Sequence, residues 1–241
     1  MPADELRRRF LDTGLEILGE TGLTVSFEHL RMEELIRAAG VPRSSVYRLW
    51  PDKETFVADL IIELLRPTEL QGAAFDPLTL EIAREVVDRH RHLLADPEGR
   101  RRVLHEAIRQ AAERNFVAVL GSLTWKTYTA LAVTIPTLAE PHRGHVLATL
   151  REAETHFVER MSEFYEALMP LFGMRLKPGI TMCQFSIAGA AAIEGLAERH
   201  PVTPELVDAR VELPGIDGKP VSWHLSAIAF LGVVDVMTEI A

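Results

Sequence analysis

The stretch from Leu35 to Trp50, LIRAAGVPRSSVYRLW, constrains this chain more than any other. Met32, Leu35, Ile36 and Ala39 recur at the spacing of a helix with one buried face. Gly40 stands where that helix must stop, at the position where a left-handed backbone costs least. Val41 is apolar and is expected to pack into the corner. Pro42 lacks a donor and has its φ preset, so it suits the start of the next helix. On that short second helix Val46 and Trp50 are four apart and point inward. Arg43, Ser44, Ser45, Tyr47 and Arg48 are left on the outside. The sequence predicts helix, tight turn, helix.

That outside is unusual for a chain of formal net charge -9. From Arg37 to Lys53 the charges are Arg37, Arg43, Arg48 and Lys53 against Asp52 alone. Such a surface fits a DNA major groove. Ser and Arg reach base edges, while Tyr and Lys hold phosphates. In a helix-turn-helix the second helix enters the groove with its N-terminal residues leading. Residues 1–60 carry eight Lys/Arg and eleven Asp/Glu, so the positive groups must be sorted onto one face. The acidic balance argues against a protein that coats nucleic acid generally. Acidity elsewhere keeps the rest of the chain off the phosphates.

Ala38-Ala39-Gly40-Val41, then Tyr47, then Trp50-Pro51-Asp52-Lys53-Glu54-Thr55-Phe56 resembles the N-terminal domain of TetR-family transcriptional regulators. The family pattern runs A-A-G-V-S-x-x-x-x-Y-x-x-F-x-x-K-x-x-L. Pro42 stands at the usual Ser, Trp50 at the usual Phe and Phe56 at the usual Leu. The resemblance covers residues 5–65 and nothing beyond. The segment from Gly22 to Gly40 is longer than the common pattern. Leu30 falls where the family often has a helix-capping Thr that also meets a phosphate. Thr24 or Ser26 would cap an earlier helix start instead, and Arg31 would replace the phosphate contact.

At 241 residues the chain can bury a sizeable core. A single cysteine, Cys183, excludes an intrachain disulfide or a cysteine-based metal cluster. Met1 to Arg9 lack an apolar signal core, and no uncharged apolar run reaches membrane-spanning length. A soluble, cytoplasmic protein without a membrane partner is expected.

Arg7-Arg8-Arg9 precede Phe10, Leu11, Leu15 and Leu18, an amphipathic helix ending near Gly22. The Arg triplet either touches the phosphate backbone or is a solvated helix start. Pro51-Asp52-Lys53-Glu54 opens another helix, whose first turn favours acids. Lys53 is unfavourable there unless a phosphate sits at the helix N-terminus. This helix runs through Phe56, Val57, Leu60, Ile61, Leu64 and Leu65 to Pro67, and 66–76 reads as a linker. Helical patterns follow over 78–95, 98–120, 122–135, 143–171, 181–199 and 222–240. Residues 202–221 read as a long loop, with Val211 to Leu213 extended. The expected fold is all-α, with about nine to ten helices in two domains. These are a three-helix DNA-binding head over 1–65 and a helical ligand-binding and dimerisation domain over 66–241.

Leu147, Leu150, Glu154, Phe157, Met161, Phe164 and Leu168 form a stripe at helical spacing with one carboxylate inside it. A buried carboxylate must be paired or neutralised. Glu154 is therefore either the partner of a nearby His or Arg, or a polar anchor in a ligand cavity. Trp125 and Tyr128 share a helix face and either pack a core or line that cavity, with Phe157 and Met161. His142 and His145 are three apart but follow Pro141 with no carboxylate at ligand spacing, and His90 and His92 cannot share a helix face, so no metal is expected. Cys183 lies among apolar neighbours and reads as a buried, inert thiol. The last two helices are rich in small and apolar residues, IAGAAAI and IAFLGVV. They suit a two-fold interface between two chains, as the resembled family's C-terminal helices do, or close packing within one chain.

No Gly-rich phosphate loop, G-x-S-x-G or H-E-x-x-H motif is present, so neither catalysis nor a cofactor is expected. The expected function is a homodimeric DNA-binding regulator, most simply a repressor, that responds to a small, largely apolar ligand. Arg43, Ser44, Ser45 and Arg48 are expected at base edges, and Tyr47 and Lys53 at phosphates. An all-α enzyme, or a helical small-molecule-binding or adaptor protein without DNA readout, stays open.

Overall fold

Residues 2–21, 30–65, 76–137, 140 and 142–241 are described by the computed structural model. Eleven α-helices dominate them: α1 Ala3–Thr21, α2 Met32–Ala39, α3 Arg43–Leu49, α4 Lys53–Leu65, α5 Pro77–Arg89, α6 Pro97–Gly121, α7 Leu123–Thr134, α8 His142–Leu168, α9 Met182–Arg199, α10 Pro204–Val207 and α11 Leu225–Met237. Four short strands accompany them: β1 Met174–Leu176, β2 Arg210–Pro214, β3 Pro220–His224 and β4 Thr238–Ile240. Gly22, Thr24, Ser26, His29, Pro67 and the 66–75 part of the expected linker lie outside the described residues.

Contacts divide the chain into two units. The first comprises Met1–Thr68 and Leu123–Glu154, the second Glu69–Ser122 and Thr155–Ala241. This differs from a single break after residue 65. Ile61 on α4 packs with Leu131 on α7 and with Val146 and Leu150 on α8, which places α7 and the start of α8 in the first unit.

In the first unit one core gathers Leu6, Phe10 and Leu11 of α1 with Met32, Leu35, Ile36 and Ala39 of α2. Val41, Val46, Trp50, Phe56 and Leu60 complete it. Phe10, Trp50 and Phe56 meet with ring centroids 4.8–5.5 Å apart. The Trp50 indole donates to Asp59 Oδ2 at 2.8 Å, and Arg7 pairs with the same oxygen at 3.0 Å. The buried N–H is thereby satisfied, as a buried indole requires. Gly40 ends α2 at φ 62° and ψ 38°, and the Val41 N–H reaches back to the Ile36 carbonyl at 3.3 Å. Both follow the sequence reading of the turn.

Leu30 is buried, and Arg31 precedes α2 without a side-chain cap, so no hydroxyl caps this helix. Asp52 supplies the cap of α4, accepting from the Thr55 amide at 2.7 Å and its hydroxyl at 2.6 Å.

In the second unit α5, α6, α9 and α11 pack together. Pro77 and Pro97 begin α5 and α6, and Asp76 and Asp96 cap them through the Thr79 and Gly99 amides. Thr181 and Gln184 form a capping box on α9. A Cβ on Gly189 of α9 would meet the Phe230 ring of α11 at 2.6 Å, so only glycine allows these helices so close. Part of the small-residue pattern thus serves packing within the chain.

The sequence reading needs three corrections here. Residues 202–221 are not one loop: α10 and the antiparallel pair β2–β3, in register from Arg210↔His224 to Pro214↔Pro220, occupy them. Helix 222–240 is shorter, because β3 claims Ser222 to His224 and β4 pairs with β1. Helix 78–95 stops at Arg89, and a 3-10 turn over Arg91–Ala95 leads to Asp96.

Candidate nucleic-acid interface and ligand cavity

Helix α3 is anchored from below. Val46 and Trp50 are buried at 0% and 1% exposure, and they fix which side of this short helix faces out. Arg43, Ser44 and Arg48 are exposed, while Ser45, Tyr47 and Lys53 are half-buried. Arg9 and Arg37 are exposed as well, and Arg9 Nη2 lies 3.4 Å from where a Gly40 Cβ would stand. Cations therefore cluster around the turn despite the acidic chain.

Two of the residues assigned to DNA already have partners. Glu33 Oε1 accepts from the Tyr47 hydroxyl at 3.0 Å and pairs with Arg43 Nη2 at 2.8 Å. The Arg43 guanidinium also lies 5.5 Å from the Tyr47 ring centroid. Arg43 and Glu33 are well exposed, so their ion pair is worth little stability and is open to exchange. Arg48 and Lys53 have no ion-pair partner among the described residues. Arg31 is exposed and pairs loosely with Glu34 at 3.6 Å. Glu33 was not legible as a site residue, because an acid in the first turn of a helix is ordinary.

The second unit holds an apolar cavity of about 130 Å³. Phe157, Met161 and Phe164 of α8 line it, as the stripe suggested. Trp125, Tyr128 and Glu154 do not: they belong to the first unit, where Tyr128 packs beside Ile61, Leu131, Val146 and Leu150. Glu154 is half-buried, and Leu147 of the same stripe is 39% exposed; Val146 and Val158 are buried instead. Leu150 of the stripe is buried as expected, but in the first unit's core and not at the cavity.

Tyr165 lines the cavity and was missed, although it sits four residues after Met161 on the same face. Its ring meets Phe185 edge-on at 4.9 Å and Phe230 in a stacked arrangement at 6.1 Å. Its hydroxyl has no hydrogen-bond partner among the described residues. Burial pushes the phenol's pKa up, so it stays protonated at neutral pH. The other polar lining groups are occupied. Thr79 donates to Asp76 at 2.8 Å and Thr238 to the Val234 carbonyl at 2.7 Å. Burial works to raise the Asp76 pKa, but hydrogen bonds from Arg114 and Thr79 outweigh it and hold the carboxyl below its usual range.

Among the described residues no group of His, Cys, Asp and Glu could hold a metal. No single helix among them is long and apolar enough to cross a membrane. Cys183 is exposed, contrary to the sequence reading, because α9 turns Phe185, Gly189, Ile193 and Ala197 inward and Cys183 away.

No family model matches the sequence, and no curated protein matches it. Solved structures do match, along nearly the whole chain. Escherichia coli NemR in its reduced form is 14% identical, with 98% of this chain and 100% of that one covered and a TM-score of 0.51. A Rhodococcus protein assigned as a transcriptional regulator is 12% identical over 95% of this chain and 94% of its own, with a TM-score of 0.53. A Mesorhizobium loti protein assigned to the TetR-family regulators is 11% identical over 98% of both chains, with a TM-score of 0.54. At such identities the likeness speaks to architecture. The chain carries the TetR-family regulator fold: all-α, with a helix-turn-helix head followed by a helical body.

Proposed function

We propose that this chain is a DNA-binding transcriptional regulator that works in the cytoplasm as a homodimer on a palindromic operator, most simply as a repressor. The observation that carries this reading is α3, which turns Arg43, Ser44 and Arg48 to solvent while Val46 and Trp50 lock it from below. Two such helices in one dimer would enter successive major grooves, about 34–36 Å apart. Arg43, Ser44, Ser45 and Arg48 would read base edges, with Tyr47 and Lys53 on phosphates.

The dimer would form through α9 and α11. Ile187 is 48% and Val236 69% exposed, and Ala191 and Gly232 are exposed beside them. These positions lie opposite the faces that α9 and α11 bury within the chain. A small apolar molecule in the cavity would favour one of two conformations with different head spacing. Its differential affinity for them would release DNA. Catalysis has no part in this reading.

Glu33 lends weight to the alternative, a helical small-molecule-binding or adaptor protein without DNA readout, because it engages Arg43 and Tyr47 from within. One experiment separates the two. Binding of the purified protein to DNA from upstream of its own gene is followed by fluorescence anisotropy. The Arg43→Ala, Arg48→Ala double variant is expected to lose sequence-specific binding yet keep its oligomeric state. Equal binding by the double variant would remove α3 from the reading.

A further inference from the structure

We infer that the cavity takes a small, uncharged aromatic molecule carrying one oxygen acceptor, a ketone or an alcohol, held at that oxygen by the Tyr165 hydroxyl. The inference deepens the effector reading above and rests on it only for the ligand's biological role.

Size comes first. A cavity of about 130 Å³ is close to an engineered apolar cavity of about 150 Å³ that binds benzene, so it holds roughly one ring with a short substituent. Shape comes from the walls. Phe157, Phe164, Tyr165, Phe172, Phe185 and Phe230 all contribute rings, which favour offset or edge contacts with a flat guest. Met161, Met169 and Met174 add side chains that adapt to an irregular outline.

Charge is argued from the lining. Glu194 is the one charged side chain among the lining residues, and no cation is among them. A carboxylate guest would lose its water, gain no counter-charge and meet a like charge. Glu194 already has an interaction partner in the chain, so a cationic guest would have to compete for it. Asn115 is engaged too. Thr79 and Thr238 spend their hydroxyl protons on Asp76 and on the Val234 carbonyl. The Tyr165 hydroxyl donates to no group among the described residues, so a guest oxygen can accept from it without displacing an existing bond.

The test uses the full chain without DNA. Isothermal titration is run with acetophenone, ethylbenzene, benzoate and benzylamine on the wild type and on Tyr165→Phe. Acetophenone is expected to bind about fivefold more tightly than ethylbenzene, the worth of one neutral hydrogen bond. Benzoate and benzylamine are expected to bind at least about tenfold more weakly than acetophenone. Tyr165→Phe keeps the ring and is expected to erase the acetophenone preference while leaving ethylbenzene unchanged. Tighter binding of either ion, survival of the preference in Tyr165→Phe, or no binding of either neutral probe would overturn the inference. If the variant melts early, the wild-type ranking decides alone. Adding acetophenone to the protein–DNA complex addresses its role separately. Binding as ranked with unaltered DNA affinity would keep the ligand class and remove only the effector role.

Discussion

The Tyr47 hydroxyl donates to Glu33 Oε1 across 3.0 Å, from the second arm of the helix-turn-helix to the first. Arg43 shares that oxygen at 2.8 Å, so one carboxylate holds two groups of the reading helix. It holds back from DNA one group proposed for a base edge, Arg43, and one proposed for a phosphate, Tyr47. Glu33→Gln is expected to tighten DNA binding about fivefold at low salt, since one close like charge in water is worth about 1 kcal/mol. The gain should fade at high salt. Anisotropy titrations at two salt concentrations check it, and weaker binding by the variant would make Glu33 a positioning residue for α3.

Arg48 and Lys53 should behave differently. Arg48→Ala is expected to cost about 1–3 kcal/mol on the operator and to relax the preference for one base pair, the signature of a base-edge contact. Lys53→Ala is expected to weaken binding to all sequences alike and to lower the slope of log K against log salt by about one for each phosphate no longer neutralised. A competition assay with scrambled DNA distinguishes them. Interchanged behaviour would mean that α3 sits in the groove differently from the proposal.

Gly40 is held at φ 62°, and its missing Cβ would meet nothing nearer than Arg9 Nη2 at 3.4 Å. Gly40→Ala is therefore expected to cost about 1–2 kcal/mol through backbone torsion, not collision. The melting temperature should fall while the DNA-facing side chains stay in place. A melting temperature equal to the wild type would mean that the turn relaxes freely.

His224 gives the second unit a dependence on acidity. Its side chain is 3% exposed, and its Nδ1 accepts from the Ser226 amide at 3.2 Å, capping α11. Burial, then the nearby Arg210, lowers its pKa from 6.5, while Asp208 partly opposes them. The folded state thus binds this proton less readily than the unfolded chain. Stability from neutral His224 is full above pH 6.5 and falls as the solution is acidified below it. His105, also lowered from 6.5 by burial and by Arg101, works in the same sense. The paired carboxylates lose their contribution only at lower pH. His224→Asn keeps a capping oxygen. Its melting temperature should therefore vary less than the wild type's between pH 7 and about 5.5. An equally steep dependence would assign the effect to other groups.

The exposed side of α9 provides a test of assembly. Ile187→Glu puts a charge at the centre of the proposed two-fold contact, and a buried unpaired charge costs several kcal/mol. Sedimentation is expected to show monomers where the wild type forms dimers. DNA affinity should fall when the second head is gone. Dimers of unchanged affinity would move the interface elsewhere.

The head was legible because its residues answer to local rules. Gly40 and Pro42 punctuate, Val46 and Trp50 point in, and the remaining positions on α3 have little choice. The cavity was less legible. Periodicity located α8 but not its rotation, so Leu147 and Glu154 were placed inward where Val146 and Val158 are buried. Trp125 and Tyr128 obeyed the same helical rule, yet neither lines the cavity and Tyr128 packs against another core. Which core a helix face meets is settled by distant segments, and a pattern on one helix does not carry that information. The β2–β3 pair was hidden for a related reason. Trp223 and His224 continue without a break into the apolar run of α11, so only pairing with Val211 and Arg210 separates strand from helix.

The ladder between β1 and β4 pairs Arg175 with Glu239, 64 positions along the chain. Closing a ring of that size is entropically dear, and three paired residues on each side return little. The clasp should fasten only after its surroundings have assembled and come undone before them. Amide exchange at those strands would then report the earliest loosening of the body, well ahead of global unfolding.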